Sequence, residues 1–466
     1  MTGTLQIVLA QTNPTVGDIE GTMEKIRAAR REMPDADLIV FPELVISGYP
    51  PEDMVLRPTY AAACRSAMVA LAVETDDGGP AILISGPWPE GTSQNKRPFN
   101  AALLCSAGEI LATARKRELP DYGVFDEPRT FQAATDATPP VEFRGLKLGL
   151  MTCEDMWYPG PAIDLCDQGA ELLIVPHGSP FRQTGHGERL FQAEARIRET
   201  GVPLIFVNQV GGQDELVFDG GAFVMQADEK TRCAPVFEEG LIKTSWARHD
   251  GKLVCIDGPG TEWPDDEALV YPALVLGTRD YIRKSGFERA VIGLSGGIDS
   301  ALVAAIAADA LGPENVRCVM LPSRYTSDHS LEDAKACASA LGVRYDIIPI
   351  EEAVAAFTGM MAPLFEGRAA DETEENLQSR IRGATLMAIT NKFGSLMLST
   401  GNKSEMAVGY ATLYGDMNGA YNPLKDIYKT KVFALARWRN NNCWAHGFGP
   451  KGEVIPERII TKPPSA

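Results

Sequence analysis

Val291-Ile292-Gly293-Leu294-Ser295-Gly296-Gly297-Ile298-Asp299-Ser300-Ala301 joins an apolar run to a helix-forming run through a turn almost bare of side chains. Backbone N–H groups at such a strand-to-helix turn can close around phosphate oxygens only where side chains stay clear, and the helix N-terminus adds partial positive charge. Ser295, Gly296, Gly297 and Ser300 supply that surface. The string lacks the Gly-Lys-Ser/Thr ending of a P-loop and the Gly-x-Gly-x-x-Gly spacing of a dinucleotide fingerprint. Taken alone, a Gly-Gly pair also fits a tight turn that uses glycine only for close packing.

Working outward, strand patterns at Arg289–Leu294, Val316–Leu321, Tyr345–Ile350 and Ser395–Ser399 alternate with helical patterns at Ser300–Leu311, Ser330–Leu341 and Glu374–Lys392. That alternation predicts a doubly wound parallel sheet with helices on both faces, whose ligand site lies beyond the carboxyl ends of the strands. An amphipathic segment, Glu267–Ser285, leads into it. Before that, Gly258-Pro259-Gly260 and Pro264 read as the close of an earlier domain.

That earlier half alternates apolar runs (Leu5–Ala10, Ala36–Phe41, Ala81–Gly86, Leu146–Thr152, Leu172–Pro176, Pro203–Asn208) with helical patterns at Asp18–Met33, Tyr60–Glu74 and Glu188–Thr200. Ala107-Gly108 splits Ala101–Ala114 into a hairpin, and residues from Phe218 onward turn irregular and strand-like. The fold class is α/β in two domains, 1–265 and 266–466. A length of 466 residues is already too great for one core.

Composition narrows the function classes. A net charge of −18 disfavours broad binding to nucleic acid or anionic membranes. No stretch approaches the ~20 apolar residues that span a bilayer, and Met1–Gln11 lacks a secretory signal pattern. The nine cysteines form no Cys-x-x-Cys pair, so the chain reads as a reduced, cytoplasmic protein.

Within the first domain, Phe41-Pro42-Glu43-Leu44, Arg115-Lys116-Arg117-Glu118-Leu119 and Met151-Thr152-Cys153-Glu154-Asp155 each follow an apolar run. They place a carboxylate, an ammonium and a thiol at element ends. Thiol catalysis needs a thiolate, a base to form it and a cation to support the oxyanion. His177 and His186 offer a papain-like pairing as the alternative.

Two resemblances sharpen this. The trio resembles the Glu-Lys-Cys triad of the nitrilase superfamily, which uses no histidine. Asp121-Tyr122-Gly123-Val124-Phe125-Asp126-Glu127 is similar to the branch that hydrolyses glutamine for NAD synthetases. The resemblance implies an α-β-β-α layered domain in which Glu43, Lys116 and Cys153 are catalytic. It implies that Tyr122 and Ser179, from His177-Gly178-Ser179-Pro180-Phe181, hold glutamine and that Glu127 orients Lys116. Family members commonly carry a Lys shortly after the Ser-Pro-Phe segment, where this chain has Arg182, Gly185 and His186.

The 291–301 string resembles the loop of the ATP pyrophosphatase superfamily. Four further segments look like the NAD synthetase family: Glu375–Arg382, Ser399–Glu405, Gly415–Gly419 with Asn422–Asp426, and Ile455–Ala466. By that resemblance Gly293, Leu294, Ser295, Gly296, Gly297, Ile298, Asp299, Ser300 and Thr400 contact ATP. Asn376, Glu405 and Lys462 face deamido-NAD, and Asp299 and Glu405 hold Mg²⁺. Lys403 and Lys425 read as surface charge. The sequence stops inside the Lys-Pro-Pro-Ser-Ala motif, where the family continues, so a C-terminal tail is expected to be missing.

The implied partners are glutamine, ATP and deamido-NAD, with a homo-oligomer, dimer or octamer, and no nucleic acid or membrane. Pairing a nitrilase-type half with this loop points to NAD synthesis, since related amidating enzymes use other glutaminase folds. Two rivals remain at this point: an amidase coupled to amidation of another acid, and a nucleotide-sensing protein without turnover.

Overall fold

The computed structural model describes residues 4–90, 97–136 and 138–463. They form two units that divide at Pro264/Asp265. Among them no helix is long and apolar enough to cross a membrane.

In the first unit, Val, Ile and Leu runs form strands because branched and aliphatic side chains pack on both faces of a pleated sheet. They are β1 (Leu5–Gln11), β2 (Leu38–Val40), β3 (Ala81–Trp88), β4 (Phe99–Ser106), β5 (Glu109–Arg115), β6 (Val141–Phe143), β7 (Leu146–Leu150) and β8 (Leu172–His177). Then follow β9 (Leu204–Asn208), β10 (Val210–Gln213), β11 (Leu216–Asp219), β12 (Phe223–Met225), β13 (Arg232–Cys233), β14 (Gly240–His249) and β15 (Lys252–Asp257). One sheet runs β15-β14-β1-β2-β3-β4-β5, another β13-β12-β9-β8-β7-β6, and β10-β11 stand apart. Parallel pairs β1–β2–β3 and β7–β8–β9 lie at the sheet centres, with antiparallel strands outside.

Because successive strand residues face opposite ways, one sequence makes two cores. Leu5, Ile7 and Leu9 point between the sheets, where Leu148, Ile174 and Ile205 meet them. Val8 and Ala10 point outward with Ile39 and Ile82 toward the helix residues Met23, Ile26, Met68 and Leu71. On the second sheet Leu173, Val175 and Phe206 pack with Ala162, Leu165, Ala193 and Ile197. The result is the expected α-β-β-α layering. The first helix, Ile19–Glu32, starts where the Asp18 side chain accepts from the Gly21 N–H. The hairpin turn falls at Ala107 (φ 51°) and Gly108 (φ 79°), as the sequence indicates.

In the second unit β16 (Ala290–Gly293), β17 (Val316–Met320), β18 (Arg344–Ile347) and β19 (Leu396–Leu398) are all parallel, in the order β18-β17-β16-β19. The chain leaves β16 toward β17 on one side and returns to β19 on the other. That reversal opens a crevice beyond the carboxyl ends of β16 and β19. Helix Ile298–Leu311 covers one face, while Val291, Val319 and Met397 pack with Ile381 and Leu386 of helix Glu372–Phe393 on the other. β18 ends at Ile347, short of the expected Tyr345–Ile350, although the Ile348 and Ile350 N–H groups go on donating to the Met320 and Pro322 carbonyls (2.9 and 3.0 Å). Helix Glu351–Phe365 was not anticipated; none of its residues is fully buried in this chain, and Val354 packs at the edge of the Val291–Val319–Met397 core.

Three helices meet on one buried carboxylate. Asp309 accepts from Arg439 (Nε–Oδ2 2.6 Å, Nη2–Oδ1 2.9 Å) and from the Tyr271 hydroxyl (2.6 Å). An Arg439→Met variant leaves that carboxylate buried and unpaired, so it is expected to lose about 3–5 kcal/mol. Urea unfolding followed by circular dichroism tests this, and an unchanged midpoint would count against it.

Candidate active sites

Each member of the sequence trio sits just past a strand end, and the strand order of the first unit brings them together. Glu43 follows β2, Lys116 follows β5, and Cys153 opens the 3-10 turn Cys153–Trp157 after β7. Lys116 Nζ lies 2.7 Å from Glu43 Oε1 and 2.9 Å from both oxygens of Glu127. Lys116 and Glu43 are fully buried. Burial opposes the Lys116 ammonium, but the Glu127 and Glu43 carboxylates outweigh it and hold its pKa well above the usual lysine range. Burial likewise raises Glu127 above ordinary carboxylates, against the pull of Lys116.

The two oxygens of Glu43 differ. Oε1 accepts from Lys116 and from Asn100 Nδ2 (2.7 Å), whereas buried Oε2 has no hydrogen-bond partner among the described residues. A Cβ at Gly178 would come within 3.0 Å of that oxygen and 3.1 Å of the Tyr49 ring, so the position has little room for a side chain. Burial and the Glu43 charge raise the Cys153 thiol well above its usual range, with Lys116 opposing. The resting sulfur is therefore a thiol that needs a base.

The nucleophile turn is tied to the lysine strand. Cys153 has φ 48°, a left-handed conformation uncommon for a side-chain-bearing residue. Asp155 closes the turn by accepting from the Thr152 N–H (3.1 Å), and its other oxygen accepts from the Arg117 and Glu118 N–H groups (3.0 and 2.9 Å). Burial pushes Asp155 up to about 6. Sequence reading passed over Asn100 and Asp155. Asp155 stands two residues from Cys153, a local signal, whereas Asn100 has none.

The proposed glutamine residues flank this cluster. The Tyr122 hydroxyl donates to the Glu154 carboxylate (3.0 Å) and its ring is half exposed. Ser179 donates its N–H to Asn208 Oδ1 (2.9 Å), and its Oγ accepts from Arg189 Nε (3.2 Å). Arg189 is held in turn by both oxygens of Asp219 at 2.9 Å. In the segment where the family carries a Lys, Arg182 pairs with Glu188 (2.5 Å), while His186 is buried against Trp263, ring centroids 4.3 Å apart.

In the second unit the bare loop spans Gly293 to Ser300. Leu294 still bonds Val319 (2.9 Å), and Gly297 caps helix Ile298–Leu311. Gly296 has φ 79°, and a Cβ there would lie 2.4 Å from the Ser330 carbonyl oxygen, so only glycine fits. The Ser300 hydroxyl donates to the Gly297 carbonyl (3.0 Å) and accepts from the Ser295 N–H (3.2 Å), which fixes the loop from inside.

Asp299 accepts from Asn402 Nδ2 (3.0 Å) and from Lys429 Nζ. Asn402 also caps helix Lys403–Val408 by accepting from the Glu405 N–H, while Glu405 bonds back to the Asn402 N–H (both 3.1 Å). Burial raises the Glu405 carboxyl, and the nearby Asp299 charge adds to this. Among the described residues no three His, Cys, Asp or Glu gather as a metal cluster. Asp299 and Glu405 lie close enough for the charge of one to be felt by the other, which puts two carboxylates near the loop, the number a Mg²⁺ ion takes beside water and phosphate oxygens.

Thr400 follows β19, half-buried. Asn376 Oδ1 accepts from the Thr412 hydroxyl (2.9 Å) on the adjoining segment. Lys462 Nζ donates to the Gly296 carbonyl (2.7 Å) and to Asp333 (3.0 Å), so it braces the loop itself. Residues Pro464–Ala466 of the last motif lie outside the described residues. Lys403 lies over the Tyr428 ring and Lys425 pairs with Asp426, in line with surface roles. Lys429 is the cation that sequence reading missed.

Comparison with known proteins finds a match for each unit. The carbon-nitrogen hydrolase family model matches residues 6–248 and the NAD synthase model residues 270–466. The glutamine-dependent NAD(+) synthetase of Rhodobacter capsulatus is 48% identical, covering 100% of this chain and 84% of that protein. That of Xanthomonas campestris is 45% identical, covering 99% and 82%. The Acinetobacter baumannii glutamine-dependent NAD+ synthetase, solved with ADP, superposes with a TM-score of 0.90 at 40% identity over 99% of this chain and 85% of that one. A carbon-nitrogen hydrolase unit followed by an NAD synthase unit, at this identity and nearly end to end, places the chain in the glutamine-dependent NAD(+) synthetase family.

Proposed function

We propose that this chain makes NAD from deamido-NAD, ATP and glutamine, releasing AMP, pyrophosphate and glutamate. The observation that carries the reading is a buried thiol beside an ammonium and an unpartnered carboxylate oxygen, in a chain that also holds a glycine-built anion loop.

Residues 1–265 act as the glutaminase. Glu43 Oε2 takes the Sγ proton of Cys153, and the sulfur attacks the side-chain amide carbon of glutamine. Lys116, oriented by Glu127, supports the negative oxygen of the tetrahedral adduct. Glu43 hands its proton to the departing nitrogen, which leaves as ammonia, then activates the water that hydrolyses the thioester to glutamate. Tyr122 and Ser179 hold the glutamine.

Residues 266–466 act as the synthetase. The loop from Gly293 to Ser300, with Thr400, cradles the ATP phosphates while the carboxylate of deamido-NAD attacks the α-phosphorus and displaces pyrophosphate. Ammonia then attacks the acyl carbon, forming the amide and expelling AMP. Asn376, Glu405 and Lys462 hold deamido-NAD. Mg²⁺ bound through Asp299 and Glu405 would neutralise the charge gathering on the leaving pyrophosphate. A homo-oligomeric assembly belongs to the same reading.

Incubating the chain with deamido-NAD, ATP-Mg²⁺ and glutamine is expected to yield NAD and AMP in equal amounts; ADP in place of AMP would overturn the loop assignment. Cys153→Ala should lose glutamine-supported synthesis by ~1000-fold or more while keeping synthesis from ammonium salts at high pH. Glu43→Ala and Lys116→Ala should behave alike, because base, cation and thiol act as one unit. Retained glutaminase activity in Cys153→Ala would require another nucleophile. Asp299→Ala should reduce NAD formation ~100-fold or more with either nitrogen source yet leave glutamine hydrolysis intact. Normal synthesis in that variant would reduce Asp299 to a helix-end anchor.

A further inference from the structure

The nitrilase-type triad contains no histidine, yet one stands against the nucleophile. His177 ends β8 with its side chain buried, and its Nδ1 lies 3.3 Å from Cys153 Sγ. The ring is clamped: it packs on Phe206 at 4.5 Å between centroids, and Phe206 stacks on Phe223 at 4.5 Å, nearly parallel at 9°. The backbone is fixed as well, since the His177 carbonyl accepts from the Glu43 N–H. Thus one residue holds the base by its main chain and faces the sulfur with its ring.

We infer that the His177 imidazole carries its proton on Nδ1 and donates it to the Cys153 sulfur, so that it stabilises the thiolate as a further catalytic residue without taking up a proton itself. The tautomer follows from the surroundings. Nε2 is buried and has no hydrogen-bond partner among the described residues, so a proton there would be an unsatisfied buried donor. Placed on Nδ1 it meets the sulfur, whose own proton goes to Glu43 Oε2.

The ring stays neutral because burial, with the charges of Arg189 and Lys116, drives its pKa well below the ordinary histidine value. The thiol side of the contact is faced by Glu43, Glu127 and Glu154, which oppose ionisation, and by Lys116, which favours it. Tyr49, buried beside the same carboxylates, is held far up and stays protonated. With three carboxyl groups against one ammonium, a neutral donor at the sulfur stabilises the anion without adding another charge to bury.

This rests on Cys153 being the nucleophile, and the test separates the two ideas. In the 466-residue chain, iodoacetamide alkylation at Cys153 is followed against pH by peptide mass spectrometry. His177→Leu removes the donor, and His177→Asn places an amide N–H where Nδ1 stood. Loss of the donor is expected to move the alkylation profile up by about one pH unit, a tenfold loss of rate near neutrality. kcat for glutamine hydrolysis should fall by a similar factor with KM little changed, and the Asn variant should recover most of both.

An unchanged profile in His177→Leu, or no recovery in a folded His177→Asn, overturns the inference while leaving Cys153 as nucleophile. A Cys153→Ala variant that still hydrolyses glutamine overturns the nucleophile assignment instead. A second readout needs no variant: in ¹⁵N-histidine spectra of the unmodified chain, one of its five histidines should be Nδ1-protonated and should not titrate between pH 5 and 8. An Nε2-protonated or titrating His177 would sink the proposal.

Discussion

The first unit is organised around one buried ammonium. An unpaired charge in a protein interior costs several kcal/mol, and a fully buried lysine is tolerated only where opposite charge and hydrogen bonds surround it. Lys116 meets that condition through Glu43 and Glu127, so the ends of β2 and β5 and the short helix Glu127–Thr130 cannot separate without exposing a bare charge. The constraint has a chemical result. Lys116 and Asn100 occupy Oε1 of Glu43, which leaves Oε2 as the oxygen able to accept a proton. Structural necessity and general-base geometry are the same arrangement.

The sulfur fits the same frame by a separate tie. Asp155 bonds the nucleophile turn to the N–H groups following Lys116, so thiol and ammonium move as one body even though Lys116 and Cys153 are 37 positions apart. The positive φ of Cys153 is sustained by that tie and by the Thr152 N–H that donates to the Asp155 carboxylate across the turn. Burial raises the thiol, the carboxylates raise it further, and the ammonium with the imidazole offsets them. A site balanced this way keeps the sulfur protonated until substrate excludes water and the base acts.

The second unit solves a different problem, that of leaving backbone amides bare. Gly296 is required by both its conformation and the Ser330 carbonyl beneath it. Asn402 uses one end of its amide to cap a helix carrying Glu405 and the other to hold Asp299, so the two acidic groups are set by a single buried side chain. Lys429 and Lys462 supply cations on either side of the loop, one on Asp299 and one on the Gly296 carbonyl.

Much was determined by sequence alone. Short apolar runs rich in Val, Ile and Leu specified the layered strands, the 291–301 string specified the loop, and three short segments pointed to Glu43, Lys116 and Cys153, because each of these is a local pattern. Capping residues moved element ends by a few positions, and helix Glu351–Phe365 was not anticipated at all. What tertiary structure decided is every relation across strands. Asn100 on Glu43, Asp155 on the lysine strand, His177 on the sulfur and Lys429 on Asp299 join residues 24 to 130 positions apart. Such contacts depend on sheet order and on which side chain fills a space, and a one-dimensional pattern holds no record of either. The sequence could say which chemistry was present; only packing could say which oxygen, which nitrogen and which face would carry it.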